Sequence, residues 1–118
     1  MAQISREEVE EAVRIRKPLI GRDMREIGLK GVNLQGIVME RCDLTGARLD
    51  GAHLDGAILL NCTLDNAILR EATIREGMIK GGSLECCDLS DTVMIEITIA
   101  QLKLHKTLLG EANMLMPS

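Results

Sequence analysis

The sequence predicts an all-β solenoid, and three observations carry that reading. Every fifth residue from Met24 to Met114 is Leu, Ile or Met, nineteen times without a gap. Two residues before each stands a second inward-type residue, small through the middle of the chain, as in Cys42, Ala47, Ala52, Ala57, Cys62 and Ala67. A period of five fits neither the 3.6 of a helix nor the 2 of a strand, so ordinary amphipathic templates fail over about four fifths of the chain. If each quintet forms one side of a square, four make a coil of 20 residues. About five coils then stack at the strand spacing of about 4.8 Å, with each leucine-type side chain on the axis.

Residues 1–21 break the period and read as a capping helix with its lead-in. Ser5-Arg6-Glu7-Glu8 has the spacing of a capping box, in which the Ser hydroxyl and the Glu carboxylate satisfy the first free amides of a helix. Val9, Ala12, Val13 and the stem of Arg16 follow on one face, and Pro18 stops the run, so a helix is expected over residues 5–17. Such a helix covers the open first coil, whose core and strand edges would otherwise face water.

Residues 22–118 then form the repeat. Ile27, Val32 and Ile37 are bulky where the middle coils have small residues, and Ile97 and Leu102 are bulky again, so wider terminal coils are expected to close the core. The second position after the inward residue is Gly or Asn in eight of nineteen repeats, among them Gly46, Gly51, Asn61 and Asn66. A corner that often demands positive φ explains that preference.

The cleanest copies are Cys42-Asp43-Leu44, Ala47-Arg48-Leu49, Ala52-His53-Leu54, Cys87-Asp88-Leu89 and Ala112-Asn113-Met114. They resemble the pentapeptide-repeat family, whose motif is Ala, then Asp or Asn, then Leu, then two variable residues. The resemblance spans residues 22–116 and implies a right-handed, four-sided parallel β-helix. The chain departs from the motif at the polar position, where only Asp23, Asn33, Asp43, Asp88 and Asn113 comply. It also has no Phe, although Phe is common at the central position in the family, so its core is aliphatic with Met filling gaps.

Composition narrows the function. The net charge is −4, from 18 acids and 14 bases, which excludes a strongly basic nucleic-acid binder. Residues 1–21 hold four of each sign, so the excess belongs to the repeat. No apolar stretch spans a bilayer and the first residues lack a signal peptide's apolar region, so a cytoplasmic protein without membrane contact is expected.

Chemistry of the catalytic kind finds little support. Cys42, Cys62 and Cys87 fall in the small inward slot, where a thiol packs like a larger Ala. Cys86 faces outward with His105 one coil on, two ligands where zinc needs three or four. His53 and His105 face outward with no nucleophile beside them, and Asp50 and Asp55 lie on a convex surface with no pocket. No enzyme activity, cofactor, metal or small-molecule substrate is expected.

What remains is surface. On one side of the coil the outward positions Val38, Ile58, Met78 and Thr98 stack, with Leu60 beside Ile58, an apolar column that marks a protein-interaction face. Another side alternates Lys30, Asp50 and Arg70, and its neighbour carries an acidic stripe, Asp23, Asp43, Asp65 and Glu85. The family's best-known role is mimicry of duplex DNA toward type II topoisomerases. A rod of about 24 Å would have to imitate about 14 phosphate charges; a net −4 falls short. The leading expectation is therefore a binding or scaffold module for a protein partner, with topoisomerase binding as the alternative. A two-fold homodimer through the C-terminal coil is also expected, using Leu108, Met114, Leu115 and Met116, because few residues remain there to form a second cap.

Overall fold

The computed structural model describes residues 3–115. It contains one helix, α1 (Arg6–Ile15), and seven short strands: β1 (Leu19–Ile20), β2 (Val38–Glu40), β3 (Ile58–Thr63), β4 (Met78–Ser83), β5 (Val93–Ile95), β6 (Thr98–Ala100) and β7 (Asn113–Leu115). All pairing is parallel, in the orders β1-β2-β3-β4-β6 and β5-β7, and every register step is 20 residues. The result is a four-sided parallel β-solenoid of about five turns.

The five-residue period has a direct backbone cause. Inward residues that have a coil above them donate their N–H to it, as Met24 to Asp43 at 2.8 Å, Leu29 to Arg48 at 2.8 Å and Leu34 to His53 at 2.7 Å. At most corners the same residue's carbonyl accepts a turn bond, as from Ala47 to Leu44 at 2.9 Å and from Ala52 to Leu49 at 3.0 Å. A turn of this kind with positive φ at its third residue is type II. Positive φ recurs at each fifth residue from Gly21 to Lys106, including Glu26, Arg41, Glu71 and Cys86. The corner thus imposes its conformation whatever residue stands there, not only where Gly or Asn does.

The motif's Asp or Asn also acquires a reason. The side-chain oxygens of Asp23, Asn33, Asp43 and Asp88 accept the N–H two residues on, from Arg25, Gln35, Thr45 and Ser90, at 3.0–3.2 Å. Each pre-forms the turn that follows it.

From Met24 to Met94 the inward series is buried without exception, and Cys42, Cys62, Cys87 and the small-slot alanines join it. Leu19 takes the inward place below Met39, so the coil lattice begins at β1. Ile27, Val32, Ile37 and Ile97 are buried as the terminal-coil reading requires. Closure fails at the far end, however: Leu104, Leu109 and Met114 keep the inward phase yet are 49%, 45% and 41% exposed, because no further layer lies over them among the described residues.

The capping box forms, with Glu8 N–H donating to Ser5 Oγ at 3.1 Å and Ser5 N–H to Glu8 Oε1 at 3.5 Å. Ile4, Val9 and Ala12 are buried against the first coil, and Ile4 N–H donates to the Asp23 carbonyl at 3.1 Å. The helix is shorter than expected. Arg16 leaves it in the left-handed conformation at φ 58°, closing its end through bonds to Ala12 and Val13, so its stem is exposed and does not extend the buried face.

Candidate functional site

The solenoid presents four faces, which the coil register defines. The first is the β1-β2-β3-β4-β6 sheet. Val38, Ile58, Met78 and Thr98 stack there in exact sequence register, and Leu60 lies two residues from Ile58 between Glu40 and Lys80. Val38, Ile58, Leu60 and Met78 are half-buried by their neighbours and Thr98 is exposed. Ile20, in the Glu40–Leu60 column, extends the apolar area and is 51% exposed. The period-five sequence pattern contained this residue as well, one quintet before the unbroken series.

The second face carries Asp23, Asp43, Asp65 and Glu85, but not as one column. Asp23 and Asp43 pair directly, and the column continues through Thr63, Ser83 and Lys103. Asp65 and Glu85 stand on the other side of the inward leucines. Most of the carboxylates have partners: Asp23 with Arg25 at 2.9 Å, Asp43 with the Thr45 hydroxyl at 2.6 Å, and Asp65 with Ser83 and the Glu85 N–H. The side-chain bond from Arg25, helped by its N–H, holds the Asp23 carboxyl at about 2, below its ordinary 3.8. A stripe whose charges are so engaged is a poor copy of free phosphates.

The third face alternates Lys30, Asp50 and Arg70, with Arg48 on Asp50 at 3.2 Å and Arg70 at 3.9 Å from both Asp88 and Asp91. The fourth stacks Asn33, His53, Thr73, Val93 and Asn113. Its two edges hold acids that the stripe reading missed: Glu71, Asp91 and Glu111 on one, Glu76 and Glu96 on the other. All five are exposed. They amount to five negative charges against −4 for the whole chain, so everything else sums to +1. The signal was present in the sequence as acids at the corner position of two successive quintets per coil, Glu71 with Glu76 and Asp91 with Glu96.

The remaining candidates stay apart. Cys86 is exposed and its N–H donates to the His105 carbonyl at 3.0 Å. Burial, reinforced by the carboxylates of Asp88 and Asp65, pushes the Cys87 thiol up to about 12. Among the described residues no group of three or more His, Cys, Asp or Glu side chains is placed to hold a metal, and no helix is long and apolar enough to cross a membrane. At the C-terminal end Leu108 and Leu115 are 57% and 58% exposed beside the half-open Met114. Met116 lies outside the described residues.

Comparison with known proteins agrees with this geometry. A family model described as pentapeptide repeats matches residues 23–59 and 47–81 in eight copies. The pentapeptide repeat protein Rfr23 of the cyanobacterium Cyanothece 51142 superposes with a TM-score of 0.61 at 21% identity, over 82% of this chain and 59% of that one. A pentapeptide repeat protein of the Arabidopsis thaliana thylakoid lumen gives 0.63 at 21% identity, over 80% and 59%. This chain therefore spans somewhat more than half the length of either. No functionally curated protein matches the sequence.

Proposed function

Since this chain belongs to the pentapeptide-repeat family, we propose that it is a non-enzymatic binding module that presents its flat first face to a protein partner in the cytoplasm. The observation that carries this reading is the apolar column. Three apolar side chains, Val38, Ile58 and Met78, face outward in adjacent strands, with Leu60 and Ile20 beside them. Strand pairing already orders their backbone, so a partner buries them at the cost of side-chain ordering alone on this side. The free thiols suit a reducing compartment.

A second copy is the natural cover for the C-terminal end. Leu104, Leu109 and Met114 form a half-open apolar floor, and Leu108 and Leu115 widen it. A two-fold arrangement would bury both floors at once. Duplex mimicry toward a type II topoisomerase has less support, because the second-face carboxylates are held by Arg25, Thr45 and Ser83.

A photo-crosslinking side chain at Ile58 is the direct test. In the source cells it should capture a defined protein that the same group at Arg48, on the third face, does not, and Met78→Asp should abolish capture. Equal capture from both positions would overturn the first-face reading. Inhibition of topoisomerase supercoiling by the purified chain would favour the alternative. Sedimentation of the wild type against the Leu108→Glu, Leu115→Glu double variant tests the dimer, which should dissociate.

A further inference from the structure

The excess charge and an apolar strip coincide on the C-terminal half of the fourth face. Strands β5 and β7 pair there with Val93 opposite Asn113 and Ile95 opposite Leu115, while Met94 and Met114 take the inward positions between them. Val93 and Ile95 are half-buried and Leu115 is 58% exposed. The strip is bounded on one side by Glu71, Asp91 and Glu111 and on the other by Glu76 and Glu96.

We propose that this strip docks a basic amphipathic helix of a partner protein, laid along the solenoid axis with its apolar stripe on Val93, Ile95 and Leu115. Charge complementarity selects the occupant. Five exposed acids face outward along the two edges; among the described residues only Arg70, 3.9 Å from Asp91, pairs with any of them, and Arg75, one coil below Ile95, is the one Lys or Arg between the edges. Nucleic acid and anionic lipid share their sign and are repelled. A polybasic segment without apolar residues would leave the strip wet.

Spacing selects the helix. The acids on each edge recur once per coil, at about 4.8 Å. An α-helix advances about 5.4 Å per turn, so Lys or Arg residues on successive turns can meet successive acids. Basic residues on both flanks of one apolar stripe would engage both edges together. This surface is separate from the first-face column, so its failure leaves that column's reading untouched; it shares Leu115 with the C-terminal dimer end, which sedimentation scores on its own.

The test uses the absence of Phe, Tyr and Trp from the chain. A synthetic helical peptide of about four turns, built from Leu, Lys and one Trp, reports its own burial without background emission. Its emission should shift to the blue on binding, and affinity should fall at least tenfold from low to about 0.5 M salt. The Glu71→Gln, Glu76→Gln, Glu96→Gln variant should weaken binding at least tenfold. Val93→Ser with Ile95→Ser should remove the blue shift, while Val38→Ser with Ile58→Ser should change neither quantity. Circular dichroism checks that each variant folds, and the Gln variant decides if the Ser pair does not.

Equal affinity for a Leu-free Lys peptide would overturn the proposal, as would an undiminished Gln variant. Self-association of the wild type that is lost in Arg14→Glu, Arg16→Glu would also overturn it, by assigning the strip to a second copy's helix tip.

Discussion

Cys62 stands one coil above Cys42 in the same inward slot, and the two thiols do the same work: Cys42 Sγ donates to the Leu19 carbonyl at 3.3 Å and Cys62 Sγ to the Met39 carbonyl at 3.4 Å. Neither carbonyl accepts the corner turn bond that Leu44 or Leu49 accepts; both lie in the paired strands of the first face, where the thiol is a further donor. The neighbouring Cys42, with burial added, raises the Cys62 thiol above its ordinary value.

Thiol reactivity should follow this placement. A bulky maleimide at neutral pH is expected to modify Cys86 first, with Cys42, Cys62 and Cys87 protected until unfolding, since the thiolate is the reacting form and three of the four are buried. Mass spectrometry after a brief exposure counts the labels. Two or more rapid labels would contradict the inward packing.

The slot above Cys62 accepts only glycine. A Cβ on Gly82, at φ 85°, would lie 2.1 Å from the Cys62 carbonyl oxygen and 2.8 Å from its nitrogen. Gly82→Ala should therefore cost about 2–5 kcal/mol, combining left-handed strain with overpacking against backbone. Gly51 has φ 65° but no atom within 4 Å, so Gly51→Ala should cost only about 1–2 kcal/mol. Urea unfolding of the two variants separates the contributions.

Neighbouring residues in one quintet should behave oppositely. Leu69 is 1% exposed on the axis, so Leu69→Lys is expected to lose about 3–5 kcal/mol by stranding an ammonium in the core. Arg70 is more than half exposed, with carboxylates no nearer than 3.9 Å, and Arg70→Ala should stay within about 0.5 kcal/mol. Equal melting temperatures would disprove the five-residue phase.

Acid should loosen the first coil through Asp23. Its carboxyl is lowered from 3.8 to about 2 in the fold, chiefly by the Arg25 hydrogen bond. The unfolded chain therefore binds more protons over that window, and stability rises with pH there. The contribution is complete above pH 3.8 and fades as pH falls through about 2. Asp23→Asn should flatten that part of a stability–pH curve measured by circular dichroism, and an unchanged slope would show that the pair does not act.

The sequence by itself determined the coil length, the inward series, the small slot and the capped start of α1, because each is a local pattern repeated or bounded within a few residues. Leu69 is buried and Arg70 exposed for reasons visible in any quintet. Tertiary structure decided the rest. Whether an inward leucine is buried depends on a layer above it, so Leu49 is covered while Leu109, in the same phase, is 45% exposed. Whether acids form a stripe depends on which side of the inward leucine each stands and on who binds it. Asp23 and Asp65 thus separate, while Glu76 and Glu96, 20 residues apart and unremarked in the linear order, come to one edge. Stacking converts sequence separation into adjacency, and the partners and exposure it creates belong to neighbouring coils rather than to the quintet.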